Sequence, residues 1–348
     1  MLYNPNLDEI KRRMNAYWER EALDRCCMSI SVPQPGFNDL GRYNFYYDVE
    51  EADQYRRHFF DHHHLYGETL AFHFPYFGTS IAEYTGCTAN RVPQTTWFEH
   101  WMTGEPDASE ISFRSRDIYE KQKQAIKNMI ELSGGDYLVT VSDNTGIVDA
   151  LAEIRGPENL LMDMIADPEF VEESVQRLLP IYKQTQEELF SLVEENNQGS
   201  AIIWQLWAPR RLAQMQCDLS VMISNDMYNR FVMPELEELS SFLDYPLYHL
   251  DGMEQIRHLD SILSLKRLRA IQWSMVEGQP RAVEFIPVLQ QIQRAGKCLV
   301  MKVLPQDVEK LLDNLSCRGL QLIVVGVKTD EEARELMKLA EKRSKDRG

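Results

Sequence analysis

The sequence predicts a single (β/α)₈ barrel, an α/β fold in which eight parallel strands alternate with helices. Short apolar runs rich in β-branched residues alternate with longer stretches of helical periodicity, which is typical of βα units around a parallel sheet. No GxGxxG motif follows the first run, which disfavours an open nucleotide-binding sheet. A length of 348 residues suits a closed barrel that carries insertions.

Eight apolar runs are the candidate strands of this barrel. They lie at residues 27–32, 70–74, 137–141, 201–206, 246–249, 269–273, 298–303 and 320–325. Helical periodicity fills the stretches between several of them. Residues 170–192 predict a helix that begins with the Asp-Pro-Glu of residues 167–169, and Pro180 predicts a kink or a restart within it. Residues 309–315 and 331–339 predict two further helices.

Two segments are too long for simple connections within one domain of residues 1–348. Residues 33–69 and 78–135 exceed the usual loop between a strand and a helix, and long loops in compact domains are usually functional. We expect both to lie over the C-terminal mouth of the barrel. The second is rich in aromatic residues and predicts a lid or pocket wall, or else a small β insertion with its own minor core.

Composition excludes several classes of function. A net charge of −17 argues against nucleic acid, because phosphate binding needs a basic face. No apolar run reaches the length of a membrane span, and the N-terminus lacks the features of a secretory signal, so we expect a cytoplasmic protein. Six scattered cysteines without CxxC spacing predict reduced thiols.

Barrel enzymes place their catalytic groups just past the strand ends. Applied here, this rule selects a ring of polar residues with aromatic residues among them, which we expect to bind a small molecule. The ring consists of His73, Tyr76, Asp143, Gln205, Trp207, His249, Asp251, Gln272, Glu277 and Lys302. We expect the catalytic groups to be Asp143, His249 and Asp251, and the substrate to contact the remaining residues apart from Glu277.

His249 and Asp251 are two residues apart at a strand end, so both side chains point to the same side. A histidine nitrogen beside a carboxylate oxygen can bind a divalent metal such as zinc, with Glu277, Gln272 or Asp143 as the third ligand. Alternatively, the carboxylate orients a neutral histidine as a general base, or the pair serves packing alone. The sequence does not separate the first two alternatives.

Other polar residues near the predicted mouth also have two interpretations. Asp218 either contacts substrate or caps a nearby helix. Lys302 either pairs with a substrate carboxylate or extends out of a strand end into solvent. Among the tryptophans, Trp207 is the one that we expect to line the pocket.

Three segments resemble motifs of the uroporphyrinogen decarboxylase superfamily, in the same order and spacing. Residues 216–234 resemble its Asp-containing segment followed by an (L/I)SP-x-x-(F/Y)-x-x-F-x-x-P element. Residues 249–252, His-Leu-Asp-Gly, are similar to its H-x-C-G or H-x-D-G turn, and residues 156–164 to its G-x-E-(N/D)-L-L-x-D helix. The resemblance covers roughly residues 136–340, in line with the barrel predicted above.

The resemblance implies one of two activities. The superfamily contains decarboxylases that need no cofactor, and methyltransferases that move methyl groups to or from a corrinoid or a thiol and hold zinc with a His-x-Cys turn plus a distant cysteine. Asp251 replaces the first thiolate, and no cysteine follows the last strand at residues 322–327. Of the R-Q-A-G-R-Y element that binds carboxylates in the decarboxylases, only residues 41–43 match.

Three functions therefore compete. The favoured one is a methyltransferase that acts on a small methylated substrate, with a metal at His249 and Asp251 and a corrinoid carried by a partner protein. The second is a lyase, a cofactor-independent decarboxylase in which Asp143 or Asp218 protonates a carbon. The third is a non-catalytic barrel that binds a small ligand. The resemblance also implies a possible homodimer, since superfamily members often pair through the barrel.

Overall fold

The computed structural model describes residues 1–39, 45–73, 80–93, 95–141, 146–274 and 276–347, and in these residues it is a mixed α/β structure with a central, largely parallel sheet. The strands are β1 Cys27–Pro33, β2 His63–Gly67, β3 Phe72–His73, β4 Thr88–Val92, β5 Thr95–Glu99, β6 Leu138–Val139, β7 Ser200–Ile202, β8 Leu206–Ala208, β9 Leu212–Met215, β10 Tyr245–Leu250, β11 Ala270–Trp273, β12 Cys298–Val303 and β13 Leu320–Val324. The α-helices are α1 Leu7–Trp18, α2 Val49–Asp61, α3 Ile81–Thr85, α4 Arg116–Ser133, α5 Ile147–Arg155, α6 Pro157–Ala166, α7 Pro168–Asn197, α8 Asn225–Met227, α9 Met233–Phe242, α10 Leu259–Ser264, α11 Ile286–Arg294, α12 Val308–Asn314 and α13 Asp330–Arg343.

The central sheet has the order β2-β1-β13-β12-β11-β10-β9. Every neighbouring pair in it is parallel except β1 and β2, which are antiparallel. The first strand, β1, therefore pairs with the last strand, β13. Five predicted strands are confirmed, because β1, β10, β11, β12 and β13 match the apolar runs to within two residues.

The fourth predicted strand, at residues 201–206, is wrong. These residues form parts of β7 and β8, which pair antiparallel with each other, and the strand that joins the central sheet is β9. The chain reverses between β7 and β8, where Gln205 adopts a positive φ of 54°. The run is apolar because the hairpin packs into a buried cluster, and apolarity alone does not identify which partner a strand has.

The helix predicted at residues 170–192 is confirmed as part of α7. The Asp167 side chain accepts a hydrogen bond of 3.2 Å from the backbone N–H of Phe170, as expected of a cap. The restart expected at Pro180 does not occur, since α7 continues through it to Asn197. The two later predicted helices correspond to α12 and α13.

The short parallel pair β3 and β6 lies outside the main hydrogen-bonded sheet, and two buried asparagines satisfy backbone groups beside it. The Asn4 side chain donates a hydrogen bond of 2.9 Å to the carbonyl of Thr69 and accepts one of 2.5 Å from the N–H of Ala71. Asn197 accepts from the N–H of Val139 at 3.0 Å and donates to its carbonyl at 2.8 Å. A side-chain amide thus replaces the neighbouring strand on each of these segments, which avoids the cost of unpaired buried backbone groups.

Both faces of the sheet are buried in apolar clusters. In β12, Cys298 and Val300 belong to one cluster, and the alternating residues Leu299 and Met301 belong to the other. The first cluster includes α1 and the β7–β8 hairpin, so we call it the inner cluster. The second contains most of the helices. Parallel strands with two buried faces are typical of α/β folds.

A buried ionic cluster ties α1 to the start of β1 and the end of β2. Glu68 accepts hydrogen bonds from Arg13 at 2.6 Å and from Arg25 at 2.8 Å, and all three side chains are buried. Glu68 also accepts 2.7 Å from the backbone N–H of Met28. Arg13 also pairs with Asp24 at 2.7 Å, so two carboxylates compensate the two arginines.

The two long segments contain regular structure. Residues 33–69 include α2 and the edge strand β2, and residues 78–135 include α3, α4 and the antiparallel hairpin of β4 and β5. Their function as a lid stays a prediction. The six cysteines are all buried, and they form no disulfide bonds. Within the described ranges, no helix has both the length and the apolarity that a membrane crossing requires.

Candidate functional site

Three side chains bring potential metal-ligand atoms together at the carboxyl ends of two neighbouring strands. His249 belongs to β10, Asp251 follows it directly, and Asp218 lies three residues past the end of β9. One nitrogen or oxygen atom of each lies within 4.8 Å of those of the other two. We call these three residues the triad. Of the described residues, these are the ones that meet as such a group.

His249 is fixed by a partner on the next strand. The strand register places it opposite Gln272 of β11, and its Nδ1 donates a short hydrogen bond to Gln272 Oε1. This bond leaves the Nε2 lone pair free, 3.9 Å from Asp251 Oδ1. Burial lowers the pKa of the imidazole, so it is neutral near pH 7. A neutral histidine whose other nitrogen is held by a carbonyl has the form that metal ligands and general bases require.

Asp218 has an environment that favours its protonated form. Burial, together with the negative charges of Asp149 and Asp251, raises the pKa of this carboxyl to about 7. A cation beside the triad would favour the ionised form and lower this pKa.

Buried carboxyl groups hold the segment that carries Asp218. Asp149 of α5 accepts hydrogen bonds from the backbone N–H groups of Asp218, at 2.9 Å, and Leu219, at 3.0 Å. Glu235, fully buried in α9, accepts from the first two backbone N–H groups of α5 at 3.3 and 2.8 Å. Burial raises the pKa of both Asp149 and Glu235. These contacts fix the Asp218 backbone to α5, and α5 to α9.

Trp204 contacts His249 directly and is linked to Asp218 through a chain of hydrogen bonds. Its ring stacks on the imidazole of His249, with centroids 5.3 Å apart and planes at 18°. Its indole N–H donates a hydrogen bond of 2.7 Å to Gln214 Oε1. Gln214 donates one of 2.6 Å to Gln216, and Gln216 donates one of 3.3 Å to Asp218 Oδ2. A continuous chain of polar contacts therefore runs from the tryptophan to the carboxylate.

Lys302 lies at the same mouth, on β12. Its Nζ is 5.1 Å from the centroid of the Trp204 ring. Burial lowers the pKa of the amine, although the end of the side chain reaches solvent. Within the described ranges it makes no ion pair with a carboxylate.

Several predicted site residues lie elsewhere. Glu277 is exposed in the turn after β11 and is not part of the triad, so its role as a ligand stays a prediction. Gln205 accepts 2.7 Å from the backbone N–H of Leu70, which makes it a support for the chain before β3. Trp207 donates 3.1 Å to the carbonyl of Asn197 and packs in the inner cluster near α1.

His73 is buried in β3 and is not brought to the triad. Its neighbour Phe72 packs against the inner cluster, and because strand residues alternate, His73 faces the other layer. Burial lowers the pKa of its imidazole well below the usual value, and neither ring nitrogen has a hydrogen-bond partner in the described ranges. Tyr76, Asp143 and residues 41–43 lie outside the described residues.

Two residues of the site were not predicted in these roles, namely Asp218 as a ligand and Trp204 as a pocket residue. Asp218 lies three residues past a strand end, but that strand is β9, which the pattern did not reveal. Had β9 been recognised, the same rule that selected His249 would have selected Asp218. No sequence signal distinguishes Trp204 from Trp207, since they lie three residues apart, within and directly after one apolar run, and both are buried.

Comparison with known proteins gives a match in structure only. A scan against protein-family models finds no match, and a sequence search of the curated proteins finds none. Among solved structures, a methyltransferase from Methanosarcina mazei superposes with a TM-score of 0.60 at 12% sequence identity. The alignment covers 96% of this chain and 98% of that one. The chain therefore has the fold of that methyltransferase over nearly its whole length.

Proposed function

We propose that the chain is a metal-assisted methyltransferase with the triad as its metal site. The observation that carries this proposal is the convergence of one imidazole and two carboxylates at adjacent strand ends. The fold shared with a methyltransferase is consistent with it. A fold alone does not determine which reaction a protein catalyses, so the proposed function depends on the triad.

The proposal includes closure of the fold as a (β/α)₈ barrel. The six parallel strands of the main sheet, together with β3 and β6, supply eight strands. The pairing of β1 with β13 joins the first strand to the last, as closure requires. Hydrogen-bonded ladders do not link β3 and β6 to the main sheet in the described ranges, and the amides of Asn4 and Asn197 support the backbone there instead. An apolar inner cluster is also expected of a barrel interior.

The donor atoms of the triad fit a catalytic divalent metal. Such sites in proteins use three ligands drawn from histidine and carboxylate or thiolate side chains, and they leave a further position open. His249 would bind through Nε2, because Nδ1 is engaged by Gln272, and Asp218 and Asp251 would each supply an oxygen. A bound zinc ion supplies Lewis acidity, which stabilises negative charge on a leaving or attacking atom.

The other residues of the site position these ligands. Gln272 sets the tautomer of His249, and Trp204 holds the plane of its ring. Asp149 holds the backbone of Asp218, and Gln216 holds its side chain. A small methylated substrate would enter from the mouth, and a corrinoid on a partner protein would exchange the methyl group with it.

An absorbance assay tests the proposed activity. Zinc-loaded protein is mixed with methylcob(III)alamin and a thiol, and the loss of the methylated corrinoid is followed. We expect metal-dependent transfer that is lost in His249→Ala and kept in His62→Ala, a variant of a histidine outside the triad. Absence of transfer with every corrinoid and thiol tried, in zinc-loaded folded protein, counts against the activity.

One observation supports a second candidate, a metal-independent decarboxylase. Asp218 has a pKa raised to about 7 and can therefore donate a proton near neutral pH. In this function Asp218 protonates a carbon and His249 orients the substrate. Turnover of a porphyrinogen by metal-free protein, lost in Asp218→Asn, would establish it in place of the methyltransferase.

A further inference from the structure

Two histidines form a pair at the C-terminal end of α2. His58 and His62 are four residues apart, so their side chains are neighbours on one face of the helix. Their ring centroids are 4.2 Å apart, and the ring planes are tilted by 46°. Both residues are half-buried, so the pair reaches solvent. In the main sheet, β11, β12, β13 and β1 lie between β10 and β2, the strand that follows His62, and the pair is therefore separate from the triad.

The hydrogen bonds of the pair leave nitrogen lone pairs available. The Nδ1–H of His62 donates a hydrogen bond of 2.8 Å to the backbone carbonyl of His58. Because a carbonyl only accepts, the proton is on Nδ1, and the lone pair of the neutral ring is on Nε2. The ring nitrogens of His58 make no hydrogen bond within the ranges that the structure describes. A histidine whose other nitrogen donates to a carbonyl has the form that metal ligands usually have.

The turn after β1 leaves space beside Nε2 of His62. The backbone N–H of Gln34 donates a hydrogen bond of 2.7 Å to the carbonyl of His62, which holds the turn against the pair. Gly36 has a φ of +98°, a conformation that favours glycine. A Cβ at this position would lie 3.6 Å from Nε2 of His62, so the glycine keeps the approach to this nitrogen open. Phe37 stacks on the ring of His58, with centroids 5.7 Å apart and planes at 25°.

The electrostatic surroundings of the pair favour a cation. The C-terminal end of a helix carries a partial negative charge, and α2 is a helix of 13 residues that ends at Asp61. The negative charge of Asp39 acts on His63, the residue that follows the pair. In the part of the chain that the structure describes, no third His, Cys, Asp or Glu places a ligand atom within 4.8 Å of both rings. The pair therefore offers two ligands and leaves the other positions of an ion to water.

We propose that His58 and His62 chelate a divalent transition metal, and that they form a second metal site that depends neither on the triad nor on the proposed function. Two ligand nitrogens on one ion are about 3 Å apart, a separation that two rings in contact can reach. Imidazole nitrogens bind Cu²⁺ more tightly than Ni²⁺ or Zn²⁺. With two protein ligands, we expect a dissociation constant of about 1–10 μM for Cu²⁺ and weaker binding of Zn²⁺. Such weakly bound zinc is lost during purification in metal-free buffer, so zinc that copurifies would belong to the triad.

Copper titration of the double variant Asp218→Ala and His249→Ala, which lacks two ligands of the triad, tests the proposal. We expect calorimetry to find about one Cu²⁺ per chain, and electron paramagnetic resonance to show coupling of the copper to two nitrogens. His58→Gln and His62→Gln, each added to this variant, should weaken copper binding about tenfold or more and remove one nitrogen coupling. His64→Gln, at an exposed histidine that pairs with Asp330, is the matched control and should leave both readouts unchanged.

Circular dichroism first shows that each variant is folded, and the single variant His249→Ala serves as the background if the double variant does not fold. The proposal is overturned if the folded background variant binds no copper. It is also overturned if His58→Gln and His62→Gln leave the affinity and the nitrogen coupling unchanged, since His62 would then serve only to cap α2. A loss of affinity in His64→Gln as large as in His58→Gln would likewise refute a site made by this pair.

Discussion

Glu153 offers a sharp test of how the acidic groups behind the triad are arranged. It lies on α5, one turn after Asp149, and its Oε2 is buried without a hydrogen-bond partner in the described ranges. Burial raises the pKa of this carboxyl to about 8, and the charges of Asp149 and Asp218 act in the same direction. The side chain is therefore neutral at pH 7 in the folded protein. Replacing it by the neutral Glu153→Gln should be tolerated.

The pH dependence of stability follows from this raised pKa. Between the ordinary pKa of 4.5 and the folded pKa of about 8, the folded chain holds a proton that the unfolded chain has released. The free energy of unfolding of wild type thus falls as pH rises through this interval, by about 1.4 kcal/mol per pH unit. The total is about 5 kcal/mol as an upper bound, because relaxation and water entry reduce it. Glu153→Gln abolishes this loss.

Urea unfolding of both proteins between about pH 5 and about pH 9 measures the effect. We expect the two to be similar at the acidic end, and Glu153→Gln to be more stable than wild type by several kcal/mol at the alkaline end. Glu195→Gln, at an exposed position of α7, is the matched control and should follow wild type. The reasoning is refuted if Glu153→Gln and wild type keep a constant difference across the whole range.

Three further substitutions test the fold and the site. Glu68→Gln removes the charge that two buried arginines share, and urea unfolding should show a loss of about 3–5 kcal/mol. Asn197→Ala leaves the N–H and the carbonyl of Val139 without partners, so the free energy of unfolding should fall by about 2–4 kcal/mol. Gln272→Leu removes the acceptor that orients His249, and zinc affinity measured by competition with a chromogenic chelator should fall about 10- to 100-fold.

Each of these substitutions has a control of the same chemistry. Glu173→Gln breaks an exposed ion pair on α7 and should shift the unfolding midpoint far less than Glu68→Gln. Asn229→Ala, at an exposed position, should leave stability nearly unchanged. Gln291→Leu, exposed on α11, should keep wild-type zinc affinity. Similar effects in a variant and its control would mean that the specific contacts do not matter.

The sequence predicted the second half of the sheet well because its strands are mostly buried and continuous. β10, β11, β12 and β13 are apolar on both faces, and such runs stand out between polar helices. Around residues 200–215 two apolar runs follow each other closely. The pattern there contains no information about pairing partners, so a hairpin was mistaken for the sheet strand. The asparagines beside β3 and β6 give no pattern at all, since a side-chain amide can satisfy backbone from any position in the chain.

The candidate site was predictable only where it follows a correctly placed strand. His249 and Asp251 directly end a well-defined strand, and Gln272 and Lys302 belong to its neighbours. Asp218 depends on β9, and it was therefore interpreted as a substrate contact, a proton donor or a helix cap and not as a metal ligand. Glu277 was chosen for proximity along the chain to β11, but the turn that carries it places it at the surface. Convergence of side chains is a three-dimensional property that spacing along one strand does not fix.

The identity of the third ligand shows directly whether the triad holds a metal. Elemental analysis of protein purified without added zinc should find about one zinc per chain in wild type and in Glu277→Ala, and close to none in Asp218→Ala and His249→Ala. All four proteins are first shown to be folded by circular dichroism. A folded wild type without metal that also fails to take up added zinc, or zinc that stays in Asp218→Ala and leaves Glu277→Ala, would mean that the triad is not a metal site.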